Sequence, residues 1–145
     1  TPSFFSAHTF YWGDRHASIF MGPERAANMS PARWALDAGV RFSSHLDTPV
    51  TPMLPLQAVW SQVERQSTSG AVIGPAQRIG RMPALRAVTI DAAWQVFMDE
   101  QVGSIVPGKR ADLVVLSDNP LTADNIRTIR VDRTIIDGTT VYKRL

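Results

Sequence analysis

The chain has 145 residues, 44% of them hydrophobic and 19% charged, with a formal net charge of +2 and no cysteine. That balance fits one globular domain of ordinary size and excludes a disulfide framework or thiolate metal ligation. The arginines are scattered rather than clustered, which argues against nucleic acid as a partner, and no apolar run reaches membrane-spanning length.

The first element expected is a strand over Ser3 to Phe10, with Phe4, Ser6 and His8 on one face and Ser3, Phe5 and Ala7 on the other. The run Tyr11 to Gly22 has turn residues and no clean period, so a long loop is expected there. Ser30-Pro31 predicts a helix start, with Ser30 as N-cap and Pro31 at the first helical position, and Gly39 a stop. From Val40 to Asp47, Val40, Phe42 and Leu46 alternate with Arg41, Ser43, His45 and Asp47, the pattern of a strand with one polar face. Leu56, Val59, Trp60 and Val63 fall at helical spacing, and residues 67–80 form a Gly-rich loop without a P-loop pattern. Two short helices follow, with a phase break at Thr89, expected to cap the second. Trp34, Trp60 and Trp94 are read as packing residues on apolar helix faces.

Beyond Val102 the texture changes from α/β to all β. A strand is expected over Leu113–Leu116, and β-branched residues alternating around Asp137-Gly138 predict a hairpin. The expected division is therefore 1–101 and 102–145. Lys109 and Asp112 are expected to fix a turn at that junction.

The candidate chemistry rests on few residues. Asp47 could reach a divalent metal and accept a proton from bound water, or it could end its strand through an Asx-type turn before Pro49; spacing by itself favours the turn. His8, His16 and His45 are the only histidines, and they form no tight ligand pair. His8 is either a substrate contact or a hydrogen-bonded rim residue. His45, two residues before Asp47, could orient that carboxylate, contact substrate or simply pack. His16 is expected to be solvated. Trp12 offers an aromatic wall, and Asp14-Arg15 either a grip on substrate or a local ion pair. Arg78 is a contact to substrate or a neighbouring loop, or an exposed residue. No serine nucleophile with an elbow motif is present.

On the stretches SAHTFYWGDRH, SPARWALDAGVRFSSHLDTPVTP, MPALRAVTIDAAW and GSIVPGKRADLVVLSDNPL, the chain resembles the amidohydrolase superfamily. More narrowly, it is similar to the branch of metal-dependent hydrolases that includes N-substituted formamide deformylases. The resemblance implies an α/β fold: the C-terminal part of a (β/α)8 barrel, about its last two strands and their helices, in 1–101, and the C-terminal strands of a flanking β-sandwich in 102–145. It places Asp47 as the metal-binding and proton-handling aspartate of the last barrel strand, with His8 near substrate; Trp12 and His45 join His8 as the expected substrate contacts. It implies a divalent metal, zinc by expectation, and a small-molecule amide whose C–N bond is hydrolysed.

The HxH of the first barrel strand, the bridging Lys or Glu and the middle-strand histidines of that family are absent here. Thr1 in place of an initiator Met reads as a cut within a longer polypeptide. The remainder of that polypeptide is an expected partner, and the segment by itself is expected to hold no metal and to be inactive. Alternatives are a regulator of exoenzyme production, as some relatives have been described, or a non-catalytic piece whose unpaired strand edges favour a homodimer. A cytoplasmic location is the expectation, although a lack of cysteine does not fix the compartment.

Overall fold

Two very short strands, β1 (Ser3–Phe4) and β2 (Ser43–Ser44), organise the first part of the computed structural model, which describes residues 1–145. They pair in parallel, Ser3 opposite Ser43 and Phe4 opposite Ser44. Main-chain bonds from Ser43 N to Pro2 O (3.1 Å) and His45 N to Phe4 O (3.0 Å) close the ladder, and Ser6 and Ser44 hydroxyls meet at 2.7 Å. Parallel strands need a crossover, here supplied by α1 (His8–Arg15), α2 (Pro23–Ala27) and α3 (Ala32–Asp37).

The expected strand Ser3 to Phe10 stops at Phe4. A turn brings His8 N to Phe5 O and Tyr11 N to Ala7 O, and α1 begins. The expected loop from Tyr11 is helix too: α1 runs on into a π-helical turn, His16–Phe20. Gly13 and Asp14 suggested a turn by residue type, but Gly13 serves packing. A Cβ there would lie 3.0 Å from Cγ1 of Ile73.

At the next helix, Ser30 does not cap. It sits at φ 47°, its hydroxyl donates to Phe5 O at 3.3 Å, and Pro31 flanks a helix that starts at Ala32. The stop at Gly39 is as expected: at φ 66° it bonds to Leu36 O while Val40 N reaches Ala35 O, the paired bonds of a Schellman ending. Of the strand expected from Val40 to Asp47, only Ser43–Ser44 finds a partner, because β1 offers no more.

The helix α4 (Pro55–Glu64) buries Val59 and Trp60 in one core with Ala84 and Ala87 of α5 (Arg81–Ala87), joined by Ala32, Ala35, Phe42, Ile79 and Ile126. The break before α6 (Ile90–Gln95) occurs where expected, but the Thr89 hydroxyl donates back to Leu85 O (2.8 Å) and caps nothing. Trp60 packs as expected. Trp94 lies under the Arg41 guanidinium at 4.5 Å, whereas Trp34 is 55% exposed, because Ala32 and Ala35 take the buried face of α3.

After α6, Lys109 Nζ ties the turn together by donating to Asp99 O, Val102 O and Ser104 Oγ. Three antiparallel strands follow, β3 (Leu113–Leu116), β4 (Val131–Ile136) and β5 (Thr139–Lys143), in that spatial order. The β4–β5 hairpin turns at Asp137 (φ 48°) and Gly138 (φ 76°), and Asp112 Oδ1 accepts from Asp137 N at 2.8 Å. The fold is thus mixed α/β. No helix is long and apolar enough to cross a membrane.

Candidate functional site

The chain leaves β1 and β2 at the same end of the small sheet, so the residues that follow each strand meet. Phe5, just past β1, is the hub: its ring lies 4.1 Å from that of His8, 5.1 Å from His45 and 6.2 Å from Trp12. His8 and Trp12 on α1 and His16 at the start of the π-helical turn that continues it recur every four residues and so share a face. Ring separations of 5.2 Å for both His8–Trp12 and His8–His16, and 6.0 Å from His16 to Phe20, make the cluster continuous.

Burial pushes the His8 imidazole below its ordinary pKa, His16 and His45 add to the effect, and Asp47 opposes it. The neutral imidazole is thus favoured over the charged form. Asp47 is exposed, with φ 54°, at the head of the turn closed by Val50 N to Asp47 O (2.7 Å) and by Thr51 Oγ1 to Leu46 O. Its carboxylate accepts no hydrogen bond, so the turn is closed by backbone and Thr51 rather than by an Asx interaction. His45 is exposed and touches Phe5; no hydrogen bond joins it to Asp47.

His16 departs from the expectation of a solvated loop residue. Both its ring nitrogens are shielded from solvent and lack partners. The spacing 8, 12, 16 carries that signal, which the turn-like composition of the segment hides. Asp14 forms no ion pair with Arg15. Its Oδ1 accepts from the hydroxyls of Ser67 and Ser69, both at 2.7 Å, and these bonds, Ser67 first, hold its pKa below the usual carboxylate value. They pin α1 to the loop after α4. Arg78 donates twice to Glu64 O (3.0 and 2.9 Å), satisfying the C-terminal end of α4.

The donor set does not make a metal centre by itself. No three His, Asp or Glu side chains are arranged to hold an ion, whereas a zinc site needs at least three protein ligands. What these residues do form is an aromatic and imidazole wall, with a free carboxylate at its edge.

Residues 1–142 match the amidohydrolase family. Over 137 residues the chain is 34% identical to the N-substituted formamide deformylase of Arthrobacter pascens, spanning 93% of this chain and 25% of that protein. The structure of an amidohydrolase from Thermotoga maritima MSB8 superposes with a TM-score of 0.60 at 27% identity, over 81% of this chain and 27% of the other. A metal-dependent hydrolase from Pyrococcus horikoshii OT3 shares the fold, with a TM-score of 0.68 at 18% identity over 83% of this chain and 25% of that one. The chain thus spans about a quarter of the length of the relatives it matches. Together, the match across nearly every residue and the identity to the deformylase make this chain a member of the amidohydrolase family.

Proposed function

We propose that these residues are the C-terminal portion of a metal-dependent amidohydrolase that cleaves an amide-type C–N bond in a small molecule. In this reading β1 and β2 are about the last two strands of a (β/α)8 barrel within 1–101, and β3 to β5 belong to a flanking β-sandwich within 102–145. The observation that carries it is the convergence of His8, Trp12, His45 and Asp47 beyond the ends of a parallel strand pair, in a chain related to a deformylase. Parallel barrels place their chemistry at that end of the strands.

Asp47 accepts the proton of the water whose oxygen attacks the amide carbonyl carbon. The C–N bond then breaks, the nitrogen leaves as an amine carrying a proton, and the carbonyl fragment leaves as a carboxylic acid. His8, Trp12 and His45 contact the substrate. The family is generally metal-dependent, and a divalent metal such as zinc, when bound, makes water more acidic. Its ligands would have to come largely from the remainder of a longer chain, so the 145 residues alone are expected to be inactive.

An N-substituted formamide, suggested by the relative's activity, serves as the probe. In a full-length enzyme carrying this segment, Asp47→Asn should lower kcat by roughly 10²–10⁴-fold. An unchanged kcat would sink the role of Asp47, and metal-dependent turnover by the isolated segment would sink its expected inactivity.

A further inference from the structure

Arg65 follows the last turn of α4 in the left-handed conformation, φ 51°, and is only 1% exposed. No carboxylate accompanies it. Its guanidinium donates to four main-chain carbonyls: Nε to Ile73 O at 2.7 Å, one terminal nitrogen to Ser30 O at 3.3 Å, and the other to Met29 O and Ala27 O at 3.0 and 3.3 Å. An apolar side chain would fill this space without the desolvation that a buried charge suffers. The contribution of Arg65 therefore lies in its hydrogen bonds. Only a planar fork of five N–H groups can serve so many acceptors at fixed angles.

The acceptors belong to two segments distant in sequence that are drawn into backbone contact where the guanidinium grips both. At Gly74 (φ 62°), next to Ile73, a Cβ would fall 1.8 Å from Ala27 O. Two routes lead from this clamp to the aromatic cluster. Ser30, whose carbonyl Arg65 holds, donates its hydroxyl to Phe5 O, and the Phe5 ring carries His8 and His45. Ile73 packs on Gly13, and the loop preceding it supplies Ser67 and Ser69 to Asp14, which lies between Trp12 and His16 on α1.

We propose that Arg65 is a positioning residue for the His8–Trp12–His16–His45 cluster, fixing the seat of Phe5 and the placement of α1 through these two routes. That the cluster contacts substrate rests on the function proposed above; the positioning itself does not. Rings as close to His8 as Phe5 and Trp12 displace its ring-proton resonances, so histidine ¹H–¹³C NMR of the 145-residue chain reads the geometry directly.

Arg65→Lys keeps the charge and the backbone demand but loses the fork. It is expected to lose the ring-current displacement at His8 and His45 while far-UV circular dichroism stays unchanged. Ser30→Ala cuts only the link to Phe5 and is expected to move the same resonances in the same direction by less. A merely stabilising arginine would lower the denaturation midpoint and leave these shifts at their wild-type values, and that result overturns the proposal. Should Arg65→Lys fail to fold, Ser30→Ala decides alone: wild-type shifts at His8 and His45 overturn it. The spectra need no substrate, so failure of amide hydrolysis in a full-length enzyme would sink the proposed function and leave this inference standing.

Discussion

The helical part of the molecule and its C-terminal sheet are ordered by different forces. Around α4, buried apolar side chains from α3, α5, Phe42 just before β2, Ile79 and the turn at Ile126 form one connected core. After residue 101 only Ala123, Ile126 and Ile129 are buried apolar residues, and none of them lies in β3, β4 or β5. The sheet is held by its ladder, by the Asp137-Gly138 turn and by Asp112, while Val114, Val115, Ile136 and Val141 stand exposed. A few strands gain independent stability only when an apolar face is covered. One region thus supplies its own packing, and the other presents a surface that still lacks it.

The largest effect that would test this contrast is at Trp60. It is 6% exposed, meets Phe10 edge-on at 5.5 Å and carries the Arg127 guanidinium at 4.9 Å. Trp60→Ala should cost about 3–5 kcal/mol through lost burial and the cavity left behind, read as a lowered midpoint in urea denaturation. Arg127 stacks on both Phe10 and Trp60, so the same change should loosen the turn leading into β4. A loss below about 1 kcal/mol, typical of a partly exposed site, would mean that the core is not where the stability resides.

The same contrast explains what could be read from the residues. Elements set by local chemistry were legible: α4 from its apolar spacing, the Gly39 ending, the β4–β5 hairpin from Asp-Gly, and the Lys109 turn. Elements set by distant partners were not. The segment Ser3 to Phe10 alternates like a strand, yet its extent depends on how much of β2 it can pair with. Gly13 reads as a turn residue until Ile73 is seen against it, and Asp14 as half of an ion pair until Ser67 and Ser69 arrive from the far side of α4. Within the candidate site, His8, Trp12, His45 and Asp47 could be singled out individually. Their gathering around Phe5, and the inclusion of His16, followed from a helix that the turn-like composition concealed.

An intermediate effect is expected from pH, and it too belongs to the helical part. Burial, the first cause, lowers the pKa of His8 in the folded chain. Above the unfolded value of about 6.5, both states hold His8 neutral and its linkage term is zero. As pH falls below that value the unfolded chain takes up the proton first, so stability declines, and it levels off once pH passes the depressed folded value. Denaturation midpoints should therefore rise with pH between that folded value and about 6.5, and His8→Phe should flatten this rise. A slope that persists unchanged in the variant would assign it to another group.

The smallest effect on stability, and the sharpest test of the contrast, is expected in the sheet. Val114 and Ile136 are each 53% exposed. Val114 pairs with Thr134, and Ile136 lies two residues further along β4, so both point from one face. Replacing both with Thr retains the β-branch and the strand preference while removing exposed apolar surface. The double variant should shift stability by no more than about 0.5 kcal/mol per site, as expected for surface positions. Any self-association of the unchanged chain, followed by sedimentation at increasing concentration, should fall in the variant, because uncovered apolar strands favour contact between molecules. A loss of several kcal/mol would reveal that the sheet already buries this face, and the two regions would then share one kind of order. Unchanged association together with unchanged stability would leave the sheet bare but inert, and would move the adhesive surface to the apolar tip of the π-helical turn, where Ile19 and Phe20 are also exposed.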